Sequence, residues 1–317
     1  MKAVSYHDST ISLREVDAPS LGSGDALIDV RAAGLNAADL LQARGFYPAP
    51  AGWPADILGL ECAGVVTHVA PDVDPSLIGT RVACIVGGGG QAQLVRVPAR
   101  HLLTLPDNVD WISAGGLAET FTTAYDALFL QAQLRAGEHV VISGSAGGVG
   151  TAAIQLARRA GATVTAVTRD DRSHVELLAL GASHVTTTTN YELHAPADVV
   201  LELVGAAHLE LATTRLAPRA RVVVIGVGGG GSQMSLNLLS LMSTRASITG
   251  STLRARAVDE KAEIAAAMQR DVVVGFATGE LRVIVAGQFD VDDAPLAYDT
   301  FATAGKLGKI VLTLNQP

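Results

Sequence analysis

Cysteine is scarce in this sequence of 317 residues, in which Cys62 and Cys84 are the only thiols. Two cysteines cannot supply the four-thiolate cluster of a structural zinc site, and they do not make a disulfide framework. We therefore expect a reducing, cytoplasmic location, although a single bridge between Cys62 and Cys84 stays possible at this point.

Aromatic residues and clustered basic residues are also sparse. Phe, Trp and Tyr make up 4% of the chain, and 23 Lys and Arg residues are scattered among 31 acidic ones, for a net charge of -8. Nucleic-acid-binding proteins use stacking platforms and basic stripes, so no nucleic-acid partner is expected. Apolar stretches end before the roughly 18 residues that a membrane span needs, and the N-terminus has no apolar signal core, so no membrane attachment is expected.

Hydrophobic residues, in contrast, are abundant at 49%, and the chain contains 33 glycines. A chain of this length and composition accommodates two packed domains. The first 120 residues predict short strands separated by glycine and proline, a pattern typical of an irregular β barrel. The clearest of these strands are Ala26–Arg31, Glu61–Val66, Arg81–Val86 and Ala92–Val97.

From about residue 120 to 250, apolar runs alternate with amphipathic helices such as Gly150–Arg159, which predicts βαβ units and a parallel sheet. The tail contains a predicted helix at Asp259–Thr278 and β-like runs at Arg282–Val285 and Lys309–Leu314. It is too small to fold alone, so we expect it to pair within the first domain. The strands of the parallel sheet are predicted at His139–Ser143, Thr163–Val167, Asp198–Glu202, Arg221–Ile225 and Ser247–Gly250.

The strongest local signal is a glycine-rich turn that follows the first of these parallel strands and opens the next helix. Glycine lets the backbone approach a pyrophosphate closely, and the helix N-terminus offers unpaired N–H groups to the anion. The spacing of Gly144, Gly147 and Gly150 differs from the commoner G-x-G-x-x-G, but its strand–turn–helix–strand context predicts a dinucleotide site. The predicted cofactor contacts in this turn are Gly144, Ser145, Ala146, Gly147, Gly148 and Val149.

The end of the next strand bears on which dinucleotide binds. An acidic residue there binds the 2′-hydroxyl of NAD, whereas a basic one accommodates the 2′-phosphate of NADP. The strand ends at Thr168, Arg169 follows at once and Arg172 comes three residues later, so we predict NADPH and assign these three residues to its binding. Asp170 and Asp171 leave two alternatives, a preference for NADH or a solvated charge cluster at a helix start.

Taken in order, several motifs make nearly the whole chain resemble the quinone oxidoreductase (zeta-crystallin-like) family of the zinc-independent medium-chain dehydrogenase/reductase superfamily. The motifs are Ala33–Leu40 with Arg44–Pro48, Leu58–Val66, Gly88–Gln93, Ala146–Gly150 and Gly308–Leu312. The resemblance implies an α/β fold with a GroES-like β-barrel catalytic domain and a Rossmann-type cofactor domain built on a doubly wound parallel sheet. It also implies an active site in the cleft between these domains and a homodimer.

With this fold, we place the catalytic domain at residues 1–120 and 254–317 and the cofactor domain at 121–253. The resemblance implies that Asn36 and Tyr47 flank the nicotinamide, both with catalytic roles and Asn36 also as a cofactor contact. The alternative for Tyr47 is an anchor of its proline-rich loop.

The resemblance also places Thr123 near the nicotinamide carboxamide. The alternative is that Thr123 has only a structural role, in the N-terminal turn of a helix. The loops after two later strands should touch the cofactor as well, because ligands lie beyond the carboxyl ends of the strands. These contacts are Val204, Gly226 and Val227. Tyr191 comes too late in the chain to match a family tyrosine that binds the adenosine phosphate, so it is assigned no role.

In the zinc-dependent sister branch, the resemblance would place a cysteine near Asn36 and a histidine at Leu60. A catalytic zinc needs about three protein ligands, so we expect no metal. Glu61 is then interpreted as a structural carboxylate near the barrel. His139 opens a strand and is interpreted as structural. Seven histidines without metal-like spacing are predicted to lie at the surface, namely His7, His68, His101, His174, His184, His194 and His208.

We therefore predict an NADPH-dependent reductase that transfers a hydride to a quinone or an α,β-unsaturated carbonyl acceptor without zinc. Two alternatives stay open. One is a zinc-free enoyl-thioester reductase, and the other is a crystallin-like protein that binds NADPH with little turnover. The physiological acceptor is not readable from the sequence, because loop shape decides it.

Overall fold

The computed structural model describes residues 1–8 and 10–314, which form two compact units. One unit comprises Met1–Thr122 and the segment that begins at Leu253, and the other comprises Thr123–Thr252. The domain boundaries that we placed at residues 120 and 254 lie beside these positions. Our range for the first domain also included residues 315–317, which lie outside the described part of the chain.

Strands and short helices alternate along both units. The strands are β1 (Lys2–His7), β2 (Thr10–Glu15), β3 (Asp25–Gly34), β4 (Glu61–Val69), β5 (Arg81–Ile85), β6 (Leu94–Pro98), β7 (Leu103–Thr104), β8 (His139–Ile142), β9 (Thr163–Thr168), β10 (His184–Thr187), β11 (Ala197–Glu202), β12 (Leu216–Val224), β13 (Ser247–Gly250), β14 (Val285–Asp290) and β15 (Lys309–Thr313). The helices are α1 (Ala37–Ala43), α2 (Trp111–Gly115), α3 (Ala118–Tyr125), α4 (Gly148–Arg159), α5 (His174–Leu180), α6 (Ala206–Ala212), α7 (Leu238–Thr244), α8 (Val258–Asp271), α9 (Val273–Ala277) and α10 (Ala294–Ala302). Over residues 1–8 and 10–314, no helix combines the length and the apolar character that crossing a bilayer requires.

The central strand of the first unit is β3, which pairs antiparallel with β4, β6 and β15. Beyond β4 the sheet continues through β5 to β7, and β14 pairs in parallel with β15. The prediction that the tail strand joins the first domain is therefore confirmed. The sheet buries an apolar core that includes Ile28, Val30, Leu58 and Leu312.

The second unit contains a six-stranded parallel sheet in the order β10-β9-β8-β11-β12-β13. Helix α4 connects β8 to β9 and buries the run Gly150–Ala157. From β8 the chain proceeds outward through β9 to β10, and it then returns to the other side of β8 to form β11. In such sheets, ligands bind beyond the carboxyl ends of the strands at this reversal.

Two predicted elements of the tail are wrong in detail. The helix predicted at Asp259–Thr278 is divided into α8 and α9, because Val272 has a φ of −111° and interrupts the helical geometry. The run predicted as a strand at Arg282–Val285 mostly precedes β14. Leu281 and Val283 are buried there, so the apolar pattern reflects packing rather than strand pairing.

The surface position that we predicted for the histidines is wrong for His101 and His208, which are 1% and 2% exposed. His101 Nε2 lies 2.8 Å from the carbonyl oxygen of Val258, and burial lowers its pKa. His208 pairs with the buried carboxylate of Glu202. In both cases the partner comes from another element, which a single histidine in the sequence does not reveal.

Candidate functional site

The glycine turn after β8 has a backbone that favours glycine. Gly144 has a φ of 57°, in the left-handed region that favours glycine. Gly147 is the N-cap of α4 and donates its N–H to the carbonyl of Gly144 at 3.0 Å. A Cβ at Gly150 would lie 2.6 Å from the oxygen of Gly144, so the helix packs directly on the turn.

This turn fits a pyrophosphate. The first-turn amides of α4 have no partner within the helix, and the helix begins at the carboxyl edge of the sheet. Gly147, Gly148 and Val149 belong to this start, and Ala146 immediately precedes it. Ser145 serves the turn differently, because its hydroxyl donates to Ile142 O at 2.7 Å and accepts from Val167 N at 3.0 Å.

The end of β9 is a cluster of charges. Thr168 is buried and donates its hydroxyl hydrogen to the carbonyl of Asp170 at 2.9 Å, whereas Arg169 is exposed. Arg172 donates from Nε and Nη2 to the two carboxylate oxygens of Asp170, at 2.9 and 2.6 Å. This bidentate pair lowers the pKa of Asp170 to about 2. Asp170 is thus engaged with Arg172, and Arg169 is presented to solvent.

The loop after β11 meets the glycine turn, and the loop after β12 packs against the loop after β11. A Cβ at Gly144 would lie 3.2 Å from Cγ2 of Val204, and one at Gly226 would lie 2.5 Å from Leu203 O. Val227 lies against Gly205 and is 45% exposed. The structure therefore brings together the predicted contacts Gly144, Val204, Gly226 and Val227 at one edge of the sheet.

Beneath these loops lies Glu202, which is fully buried. Its Oε1 accepts hydrogen bonds from Ser143 Oγ at 2.8 Å, Val204 N at 2.7 Å and Gly205 N at 2.8 Å, and its Oε2 lies 2.5 Å from His208 Nδ1. Burial alone would raise the pKa of Glu202, but the hydrogen bonds from His208, Gly205 and Ser143 outweigh it and lower the pKa. Tyr191 packs edge-on against His208, with ring centroids 5.7 Å apart.

In the first unit, Asn36 lies between two buried charges. Lys309 Nζ donates to Asn36 Oδ1 at 2.7 Å, and Asn36 Nδ2 donates to Glu61 Oε1 at 3.2 Å. Lys309 also pairs with Glu61 Oε1 at 2.6 Å, and the Glu119 amide donates to the other oxygen of Glu61 at 2.8 Å. The ammonium and the carboxylate together fix which way the Asn36 amide points, because only its oxygen can face Lys309.

A second polar network begins at Asp39, in the first turn of α1. The buried carboxylate of Asp39 accepts from Asn36 N at 2.8 Å, Gly59 N at 3.3 Å and Gln91 Nε2 at 3.3 Å. Gln91 Oε1 accepts from the hydroxyl of Tyr298 at 2.9 Å. Burial raises the pKa of Asp39 to about 6, since the hydrogen bonds from Asn36 and Gly59 and the charge of Lys309 offset only part of the desolvation.

Tyr47 follows α1 in a loop that Arg254 holds in place. Arg254 is 5% exposed and donates to Gly87 O at 2.7 Å, to Tyr47 O at 2.7 Å and to Gln42 Oε1. Its guanidinium also lies 5.1 Å from the centre of the Tyr47 ring. Burial raises the pKa of Tyr47, and nearby Glu119 adds to this effect while Arg254 opposes it. The phenol therefore stays protonated at neutral pH.

Thr123 lies in α3, is 6% exposed and is the first residue of the second unit. Its predicted place beside the nicotinamide, with Asn36 and Tyr47, stays a prediction. Several structurally central residues escaped sequence reasoning, namely Ser143, Glu202, His208, Arg254 and Lys309. Of these five, only Lys309 could have been recognised from its sequence context. A lysine inside an apolar β-like run is almost never buried unless it is paired with another group.

Asn36 and Leu60 stand at the two positions compared with the zinc branch. Leu60 is 2% exposed and apolar, and the ammonium of Lys309 contacts both Asn36 Oδ1 and Glu61 Oε1. Within residues 1–8 and 10–314, no group of three or more His, Cys, Asp or Glu residues is arranged to hold a metal ion. Cys62 and Cys84 are buried free thiols on paired strands, with their sulfurs 3.6 Å apart.

Two family profiles match the chain. The alcohol dehydrogenase GroES-like domain matches residues 22–107, and the zinc-binding dehydrogenase profile matches residues 148–270. The first match lies in the β-rich unit, and the second begins at the start of α4. The predicted fold class, a GroES-like domain with a Rossmann-type parallel sheet, is confirmed.

Relatives align with almost the entire chain. It is 34% identical over 312 residues to the spectinabilin polyketide synthase system protein NorB of Streptomyces orinoci, covering 95% of this chain but 14% of that protein. It is 28% identical over 311 residues to the quinone oxidoreductase of Rattus norvegicus, covering 95% of this chain and 92% of that one. The structure of a probable oxidoreductase from Mycobacterium abscessus is 30% identical, has a TM-score of 0.79 and aligns over 99% of both chains.

The first three curated relatives are polyketide synthase proteins, of whose length the chain spans only 5% to 14%. The rat quinone oxidoreductase, in contrast, is matched over nearly its full length. Together with the two domain profiles, these matches make the chain an oxidoreductase that belongs to the quinone oxidoreductase family of the medium-chain dehydrogenase/reductase superfamily.

Proposed function

We propose that this oxidoreductase uses NADPH to reduce a quinone or an α,β-unsaturated carbonyl compound, without zinc. The observation that carries the proposal is the tip of β9, where Arg169 is exposed and Arg172 occupies both oxygens of Asp170. An aspartate engaged in this way is a poor partner for a ribose hydroxyl, whereas exposed guanidinium groups suit a 2′-phosphate.

When bound, NADPH supplies the hydride. The glycine turn would hold its pyrophosphate, because the turn combines a close backbone approach with the N-terminus of α4. Thr168, Arg169 and Arg172 would hold the phosphorylated ribose. The remaining contacts are assigned to Asn36, Thr123, Val204, Gly226 and Val227.

Tyr47 and Asn36 are the proposed catalytic residues of the first unit. Addition of a hydride to a conjugated acceptor moves an electron pair onto its oxygen, which must then be stabilised and protonated. The phenol of Tyr47 carries its proton at neutral pH, as an ordinary tyrosine does, so its hydroxyl is suited to donate a hydrogen bond to that oxygen. Asn36 is held rigidly by Lys309 and Glu61, as a residue that orients a reactant must be.

Chemistry without zinc is supported by the charge beside Asn36. The ammonium of Lys309 lies 2.7 Å from Asn36 and 2.6 Å from Glu61, so a fixed cation already neutralises this carboxylate. A divalent ion would meet electrostatic repulsion there, and the neighbouring Leu60 offers no ligand atom.

A second candidate is the reduction of enoyl thioesters. It is favoured by the 32–34% identity of nearly the whole chain to segments of polyketide synthase proteins. Polyketide intermediates are carried as thioesters, so an enoyl thioester is the acceptor that this likeness suggests. Both candidates share the cofactor site and the residues around Tyr47.

An acceptor panel tests the proposal. NADPH and NADH consumption would be followed with quinones, enones and enoyl thioesters, with Tyr47→Phe as the comparison variant. We expect NADPH oxidation by quinones or enones, no loss of rate in a chelator, and a lower kcat for Tyr47→Phe. Turnover with enoyl thioesters alone would favour the second candidate, and NADPH binding without turnover would favour a crystallin-like role. Equal use of NADH, or stoichiometric zinc needed for activity, would contradict the cofactor and metal assignments.

We also propose a homodimer built on the edge strand β13. All four residues of β13 are exposed, and α7, which directly precedes it, exposes Leu238, Leu239 and Met242. An open strand edge beside an apolar patch is suited to pair with the same edge of a second copy around a two-fold axis. Light scattering should give a dimer, and Ile248→Lys should shift it to a monomer. A monomeric wild type would contradict the proposal.

A further inference from the structure

Glu202 connects the two loops to which we assign Val204, Gly226 and Val227. Its carboxylate accepts the amides of Val204 at 2.7 Å and Gly205 at 2.8 Å in the loop after β11. Its carbonyl oxygen accepts the amides of Ile225 at 2.9 Å and Gly226 at 3.2 Å, where the chain leaves β12. One residue thus sets the backbone of both loops.

The two loops are also bound to each other. The carbonyl of Val204 accepts the amides of Gly229 at 3.1 Å and Gly230 at 2.8 Å. Gly205 has a φ of 131°, and a Cβ there would lie 2.5 Å from the oxygen of Gly231. A loop with this conformation and so close a neighbour needs an anchor for its amides, and Glu202 is that anchor.

Ser143 and His208 hold the carboxylate itself. Ser143 Oγ donates to Glu202 Oε1 at 2.8 Å and accepts from Leu203 N at 2.6 Å, so it joins β8 to the same loop. His208, on α6, lies 2.5 Å from Oε2. All three side chains are at most 2% exposed, so the network is shielded from solvent.

We propose that Glu202 is a positioning residue for dinucleotide binding, acting through the amides of Val204 and Gly205. The inference rests on the proposed function, because it assumes that these loops contact NADPH. Glu202 touches no cofactor atom itself. Its effect is to present the Val204 side chain to Gly144, where the glycine turn begins.

The test uses three variants of the full chain. Glu202→Ala removes the acceptor, and Glu202→Gln keeps an oxygen for the two amides. Glu138→Gln is the matched control, because it removes a carboxylate paired with Arg221 just before β8, at the opposite edge of the same sheet. Quenching and enhancement of NADPH fluorescence give Kd, steady-state rates give KM and kcat, and hydrogen exchange reports on the peptide 203–207.

We expect Glu202→Ala to raise the Kd and KM for NADPH by about 10-fold or more, because two amides lose a charged acceptor, while kcat at saturating NADPH changes little. Exchange in the peptide 203–207 should quicken. Glu202→Gln should recover most of the affinity, and Glu138→Gln should keep the wild-type Kd.

Wild-type NADPH affinity in Glu202→Ala would overturn the inference alone, as would an equal loss of affinity in Glu138→Gln. Unchanged exchange in the peptide 203–207 of Glu202→Ala would overturn it too. A wild-type protein that binds neither NADPH nor NADH would overturn the proposed function, and this role with it.

Discussion

The molecule contains two fully buried glutamates that are held in different ways. Glu61 opens β4 in the first unit and faces the side-chain nitrogen of Lys309 at 2.6 Å. Glu202 ends β11 in the second unit and faces a histidine, with a serine and two backbone amides as its other partners. Both carboxylates are therefore fully partnered, Glu61 by a lysine ammonium and Glu202 by an imidazole, a hydroxyl and two amides.

The two carboxylates also orient different things. Glu61 fixes a side chain, the amide of Asn36, whereas Glu202 fixes a stretch of main chain. A residue that must present a specific functional group needs side-chain partners on both of its ends. A loop that must approach a phosphate group or a ring needs only a fixed backbone conformation. The comparison shows that a buried carboxylate fixes the position of other groups in both units. In the first unit it orients a side chain, and in the second it orients the main chain of a loop.

The largest effect should come from removing the cation of the first unit. Lys309→Met leaves the carboxylate of Glu61 buried without its ionic partner, which costs about 3–5 kcal/mol of unfolding free energy. Urea unfolding measures the loss. The double variant Glu61→Gln with Lys309→Met should recover part of it, and a single variant as stable as the wild type would contradict the pairing.

Asp39 shows what happens to a buried carboxylate whose hydrogen-bond donors are neutral. Burial raises its pKa from 3.8 to about 6, so the folded state holds its proton more tightly than the unfolded state does. Its contribution is therefore favourable below about pH 4 and is lost as the pH rises to about 6, by up to about 3 kcal/mol.

The measurement is the unfolding free energy between pH 4 and 7, compared with that of Asp39→Asn. The variant loses hydrogen bonds at every pH, so the informative quantity is the slope. We expect the wild type to lose more stability than the variant across this range, and parallel curves would contradict the assignment.

A smaller effect is expected at the charged end of β9, where the groups are solvated. Arg169→Ala should weaken NADPH binding by about 10- to 150-fold, the range for a charge-assisted hydrogen bond to phosphate, and should hardly change NADH binding. Arg172→Ala is the matched comparison and should lose less, because Arg172 is shared with Asp170. Equal losses for NADPH and NADH would show that Arg169 does not bind the 2′-phosphate.

The smallest effect concerns Ser145. Its hydroxyl joins Ile142 to Val167, so Ser145→Ala should lower the unfolding free energy by about 1 kcal/mol. NADPH affinity should stay within about 2-fold, since Ser145 is fully buried and its hydroxyl and amide are both engaged inside the fold. Calorimetric titration with NADPH checks this, and a loss of affinity comparable to that of Arg169→Ala would place the hydroxyl on the ligand.

The parallel sheet and its glycine turn were the most predictable part of the fold. Ser247–Gly250 was predicted with its observed bounds. The strands that begin at His139 and Thr163 were predicted correctly except for one residue at their C-terminal ends. Buried parallel strands have continuous apolar runs, and glycine marks the turn unambiguously. In the tail, apolar runs such as Arg282–Val285 reflected packing on another element, which a local pattern cannot separate from strand pairing.

The site was predictable only where a motif carried it. The glycine turn, Arg169 and Asn36 each lie in a recognisable local pattern. In the structure Val204 lies against Gly144, and Gly226 lies against Leu203. The residues that hold these groups in place, such as Arg254 and Lys309, were missed because their partners are remote in sequence. Arg254 bonds to Gln42, which is 212 residues away, and nothing near Arg254 in the chain announces that contact.

Because of the order of their segments in the chain, the two units can complete folding at different times during synthesis. The second unit is one continuous stretch, so it can fold as soon as it leaves the ribosome. The first unit needs β15 beside β3, with Lys309 reaching Leu35 across 274 residues. Such distant pairing is slow to form. Until β15 has been synthesised, one edge of β3 stays open near Asn36, so the surroundings of Asn36 are completed after the second unit.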